Sequence, residues 1–162
     1  MPKMPVISNT SPLIGLWGID CLSLLRDLYI EVWIPREVEK EFLAIDETFH
    51  REVLDNAPWI KIVDLTHSQD AAVYRNLDAG EAEVFALANE YDARLVIIDE
   101  QAARQEAKKL GLPLKGVVGV LLEAKEEGLI GEIKPLLIAL RQNGIYLDES
   151  LITYALGEAG EI

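Results

Sequence analysis

Cysteine is nearly absent from this chain: Cys21 stands alone among 162 residues. One thiol can form neither an internal disulfide nor a cysteine-based zinc site, and such usage is that of an intracellular protein. Histidine is almost as scarce, and His50 and His67 are isolated in the sequence and read as surface residues rather than ligands. No apolar run approaches the ~20 residues of a membrane span, and the opening MPKMP lacks the apolar core of a secretory leader. The expected location is therefore cytoplasmic, away from any membrane. Positive charge is also short, since 15 Lys and Arg face 28 Asp and Glu for a net charge of −13. Phosphate binding draws most of its affinity from cations, so this charge argues against simple wrapping of nucleic acid by the chain as a whole. A local basic strip on an acidic enzyme remains open. The glycine-rich loop of P-loop nucleotide binders is missing.

What is present is regular alternation. At this length one domain over residues 1–162 is expected, with no repeat, linker or low-complexity tract interrupting it. Apolar runs predict strands at Val6–Ser8, 30–34, 60–63, 95–98 and Leu114–Lys115. Between them, helical periodicity covers 22–28, 35–44 with an extension toward 54, 69–77, 80–91 and 101–110, followed by 117–127, 133–142 and 149–156. A further helix starts after the first strand, where Pro12 suits a first turn and Ser11 a cap. Strands alternating with helices predict an α/β fold, a mainly parallel sheet with helices on both faces. Gly111, Gly128 and Gly144 each follow an apolar stretch, as helix C-termini require.

Four residues then stand out. Asn9 and Thr10 end the first strand at the edge where parallel sheets place ligands. With a step of about 100° per residue, Val38, Phe42 and Ile45 share a stripe and Glu41 lies on its flank, while Glu37, Glu39 and Lys40 face solvent. In LDAGEAEVFALANEY, Glu81 sits beside the stripe of Val84, Leu87, Ala88 and Tyr91. Asp99 closes RLVIID, the most apolar strand.

Singly, each has an ordinary reading. Glu41 and Glu81 suit boundary positions, Asp99 suits a helix cap, and Asn9 suits a bond to its own backbone. Together, two strand ends and two inward helix flanks can form one cluster. Neighbouring carboxylates repel unless a cation lies between them, and an oxygen-only donor set suits Mg²⁺ or Mn²⁺.

At these residues the sequence resembles the PIN domains, including VapC-like toxin ribonucleases and a prokaryotic branch of nucleic-acid-binding proteins. The resemblance is carried by VISNTSPLI, WIPREVEKEF, LDAGEAEVFALA, LVIIDEQAARQEAKKLGL and GVVGVLLEAKEEGLI, in that order, from the start to about Lys134. It implies a three-layer α/β/α sandwich and metal-dependent cleavage of RNA. Glu41 corresponds to the acid after the second strand, Glu81 to the acid opening the central helix, and Asp99 to the acid closing the fourth strand. Thr10 or Ser11 corresponds to the small hydroxyl residue supporting the first acid. Asn9 departs from the pattern, because PIN domains commonly carry Asp there.

Glu41, Glu81 and Asp99 are thus the expected ligands of Mg²⁺ or Mn²⁺. Arg104 is the expected phosphate contact, within a strip that includes Lys108 and Lys115. RNA is the expected substrate, with an antitoxin protein as a further partner. The apolar content of 117–122 and 133–140 suggests a homodimer. Asn9 favours the alternative, an inactive PIN-like module that binds RNA or a protein.

Overall fold

In the computed structural model, which describes residues 4–162 with the side chain of Ala102 excepted, the apolar runs form one sheet. Strands β1 (Val6–Ser8), β2 (Val32–Ile34), β3 (Ile60–Ile62), β4 (Leu95–Ile97) and β5 (Leu114–Lys115) lie in the order β3-β2-β1-β4-β5. Every pairing is parallel, with Ser8 opposite Ile97 and Ile7 opposite Trp33. β1 and β4 are buried at every position. Central parallel strands are covered on both faces and so read as unbroken apolar runs. The predicted α/β fold is the fold of the chain.

The helices are α1 (Thr10–Gly18), α2 (Leu24–Tyr29), α3 (Arg36–Ile45), α4 (Glu47–Asp55), α5 (Ala79–Tyr91), α6 (Gln101–Lys109), α7 (Val117–Glu126), α8 (Lys134–Gln142) and α9 (Glu149–Glu158). They flank the sheet, and buried side chains from Val6 to Leu156 form one continuous cluster. Among the described residues no helix is long and apolar enough to cross a membrane.

Strand order sets the position of the site. Successive connections leave β1 and β4 toward opposite edges of the sheet, which opens a crevice at their carboxyl ends. Asn9 enters this crevice directly from β1, and its amide donates to the Ile97 carbonyl at 3.0 Å.

Several local expectations are corrected. α1 begins at Thr10 with Asn9 in the cap position, so Ser11 lies inside the helix and does not cap it. The stretch 35–54 is two helices, because Asp46 leaves helical geometry at φ −159° and caps α4 by accepting from Phe49 N at 3.1 Å. That break folds α4 back over α3. Arg51 of α4 and Arg36 then pair with Glu39, which is buried rather than solvent-facing. Ile45, expected on the apolar stripe, is 57% exposed.

The same turn buries His50, whose ring stacks on Phe42 at 4.3 Å and whose Nδ1 lies 2.7 Å from the Phe42 carbonyl oxygen. His50 is a core residue, not a surface one. The expected helix at 69–77 is a short 3-10 turn, Ser68–Val73, with no buried residue to extend it. Most helical stability comes from packing an apolar face, and this segment has none. Finally, the apolar side chains of 117–122 and 133–140 point inward, with Val117, Val120, Leu121, Ile133, Leu137 and Leu140 all buried. Ile138 alone among the described large apolar residues of those stretches is exposed.

Candidate active site

Glu41 reaches the crevice from α3. Its Oε1 accepts a hydrogen bond from Thr10 Oγ1 at 2.9 Å, which ties α3 to the first residue of α1. The carboxylate lies over the opening turn of α5, so close that a Cβ on Gly80 would collide with it. Burial pushes the Glu41 pKa up. The Thr10 bond opposes this, and the like charges of Asp78, Glu37 and Glu83 add to it.

Glu81 lies one residue beyond Gly80 and is itself buried. The reason is local: Asp78 caps α5 by accepting from Glu81 N at 2.8 Å, and Glu81 Oε1 accepts in return from Asp78 N at 3.1 Å. This reciprocal box turns the Glu81 side chain back along its own helix. Burial raises its pKa, as do the charges of Asp78, Glu100 and Glu41.

Asp99 emerges just beyond β4. It does not cap the helix that follows it, since Glu100 holds the cap position of α6. Its Oδ1 instead accepts from Val117 N at 3.0 Å, so Asp99 caps the first turn of α7 from the adjacent strand connection. Gly116 permits this approach, because a Cβ there would fall on Asp99 Oδ1. Asp99 occupies a concavity that crowds its carboxyl with protein atoms while leaving it reachable by water. That crowding pushes the pKa up, with Arg104 opposing and Glu100 adding to the rise.

Asn9 is 4% exposed, yet among the described residues its side-chain amide makes no hydrogen bond and caps nothing. Its backbone is fully engaged, through Ile97 and through the hydroxyl of Ser8, which donates to the Asn9 carbonyl at 2.9 Å. Ser11 Oγ donates to Glu100 Oε1 at 3.2 Å. The two small hydroxyls therefore divide their work, Thr10 holding Glu41 and Ser11 holding Glu100. Sequence reasoning misses Glu100, whose charge acts on both Glu81 and Asp99. Its only signal is a second acid directly after a strand end.

Glu41, Glu81 and Asp99 thus share a pattern: one carboxylate oxygen is anchored by the protein, and among the described residues the other has no hydrogen bond and no ion pair. Such groups fit a hard cation chemically, as oxygen donors without an ion-pair partner among the described residues. They do not form a closed cage, since among the described residues no three acids, histidines or cysteines converge closely enough to hold an ion as they stand. Mg²⁺ keeps several waters and needs only one or two carboxylates, so an open arrangement is compatible with it.

Of the expected basic strip, Arg104 lies beside Asp99 with its Nη1 donating to the Ile98 carbonyl at 3.0 Å. Lys108 is exposed one turn farther along α6. Lys115 is paired with Glu123, so its charge is already balanced. A family model described as a PIN domain matches residues 5–161. No curated protein matches the sequence.

Proposed function

Because this chain belongs to the PIN-domain family, we propose that it is a metal-dependent endoribonuclease that cleaves single-stranded or loop RNA in the cytoplasm. PIN domains are generally nucleases, which supports a nuclease-type function directed at nucleic acid. The observation that carries the finer reading is the set of three anchored carboxylates with free second oxygens around the β1–β4 crevice. Glu41, Glu81 and Asp99 would hold Mg²⁺ or Mn²⁺, with Asn9 adding a neutral oxygen. A cation bound there supplies charge neutralisation at the phosphate and a more acidic water.

The remaining work belongs to the chain itself. Thr10 fixes the Glu41 carboxylate, Ser11 fixes Glu100, and Asp99 is held by the α7 amide. Arg104, positioned by the Ile98 carbonyl, is the group available to receive a phosphate oxygen. Unpaired RNA suits this crevice because its backbone can bend inward and its bases can splay out, whereas a duplex is stiffer.

A second reading keeps the fold and drops the chemistry: an inactive module binding RNA or a protein. Asn9, and the use of Glu81 and Asp99 as helix caps, favour it. A toxin role with an antitoxin partner rests on the family resemblance, and a homodimer would have to use surface other than the inward residues of α7 and α8. Incubating the purified protein with mixed RNAs decides between the two readings. Cleavage that requires Mn²⁺ or Mg²⁺, stops with chelator and is lost in Asp99→Asn supports the nuclease. Cleavage indifferent to both treatments belongs to a contaminant and sinks it.

A further inference from the structure

Beside Asp99 lies a cleft of about 570 Å³ between α6, the start of α7 and the segment leading into α9. Its volume falls within the ~300–1,000 Å³ of sites that hold small ligands. One wall is a single face of α6: Gln101, Arg104, Gln105 and Lys108 line the cleft at positions i, i+3, i+4 and i+7. All four are hydrogen-bond donors and none is acidic, in a chain whose net charge is −13. Among the described residues, the side chains of Gln101, Gln105 and Lys108 have no partner, whereas the neighbouring Lys109 pairs with Glu106.

The rest of the lining includes two tyrosines, together with Asp99 and Asp148. Tyr146 is 87% exposed and Tyr154 is 60% exposed, and neither hydroxyl has a hydrogen bond among the described residues. Rings this exposed contribute little to the core. Tyr146 is nonetheless held in place, because the Ile145 amide donates to the Leu140 carbonyl at 3.1 Å and Arg141 Nη2 donates to the Leu147 carbonyl at 2.6 Å. The chain on either side of the ring is fixed while the ring itself projects outward.

We propose that this cleft is a subsite for unpaired nucleotides of an RNA strand, with bases stacked on Tyr146 and Tyr154 and phosphates received by Arg104 and Lys108. The proposal rests on the nuclease reading and extends it to the grip on substrate. Cationic side chains facing exposed aromatic rings are the general means of holding single strands, because every base has a π-face and every linkage a charge. Asp99 is itself part of the lining, so a strand seated there lies against one of the candidate ligands. The donor-lined wall also explains how so acidic a chain can engage RNA at all.

The test is binding of a short, labelled, single-stranded RNA of mixed sequence in EDTA, followed by fluorescence anisotropy, so that no cleavage intervenes. Alanine at both Tyr146 and Tyr154 is expected to weaken Kd by about 30-fold or more, in keeping with a loss of ~1–3 kcal/mol for each of the two stacked bases. Phenylalanine at both positions should keep Kd within about twofold. Lys108→Ala should flatten the dependence of log K on log salt by about 0.7, the loss of one phosphate contact.

In Mn²⁺ the double alanine variant should raise KM and leave kcat unchanged. An RNA affinity unchanged by the double alanine variant overturns the subsite, even where metal-dependent cleavage persists. Tyrosine-dependent binding by a protein that cleaves no RNA overturns the nuclease reading and leaves the subsite standing.

Discussion

The carboxylate of Glu41 fills the space that a side chain on Gly80 would need, so the opening turn of α5 and the acid of α3 are mutually fitted. Gly116 and Asp99 stand in the same relation at the other side of the crevice. In both places the missing Cβ leaves room for the carboxylate, and neither glycine takes a positive φ.

Gly80→Ala should therefore separate stability from function. The obstructing atom is the end of a flexible side chain, which can swing aside, and alanine favours helix over glycine by up to ~1 kcal/mol. The expected outcome is an unchanged or slightly higher melting temperature with metal affinity lowered by about 10-fold, read by calorimetry. A large loss of stability would show that Glu41 cannot move.

Asp99→Asn keeps an oxygen that can accept from Val117 and removes the charge, so the fold should persist while RNA cleavage falls by at least about 100-fold. Asp99→Ala also removes the cap on α7 and should lower stability by ~1 kcal/mol. Denaturant melts of the two variants beside native protein separate charge from cap. Equal stability of both would show that the 3.0 Å bond to Val117 contributes nothing.

Asn9→Asp introduces a carboxylate among Glu41, Glu81, Glu100 and Asp99 at a position only 4% exposed. Without metal, like-charge repulsion and burial should lower the melting temperature. With Mn²⁺ the order should reverse, through tighter binding and faster cleavage. Tighter binding without cleavage would favour the inactive-module reading.

The acids also set a pH dependence. Burial raises the pKa of Glu41, Glu81 and Asp99. A raised folded-state pKa means that the folded chain holds the proton more tightly than the unfolded chain. Its stabilising contribution is then complete below the unfolded pKa and is lost as pH climbs through the folded one. Glu123 and Glu161, whose pKa values are lowered despite burial, act in the opposite direction.

A comparison of native protein with Glu41→Gln isolates one such acid. Metal-free at neutral pH, the variant should melt higher, and the gap should close on acidification through the carboxyl range. Added Mn²⁺ should stabilise native protein more at higher pH, because the ligands must be deprotonated to bind it. A gap that does not change with pH would place the effect in packing instead.

Local pattern was enough to determine a great deal. The apolar run of β4 and the Val6–Ile7 pair of β1 announce central parallel strands, and Asp99 must emerge at a carboxyl edge because it follows β4. Periodicity places Glu81 at the flank of α5, and Gly111, Gly128 and Gly144 indeed take positive φ after their helices. These features depend on side-chain spacing of a few residues, which sequence displays directly.

What faces what was decided elsewhere. Asp46 breaks the helix, α4 folds back, and the return buries Glu39 and His50 while leaving Ile45 in water. Ser11 holds Glu100 across 89 positions, and Asp99 caps a helix 18 positions away. Such pairings follow from strand order and helix packing, which bring together segments whose sequences carry no record of one another. Periodicity can show which face of a helix is apolar, but only tertiary packing determines which polar side chain waits on the other side.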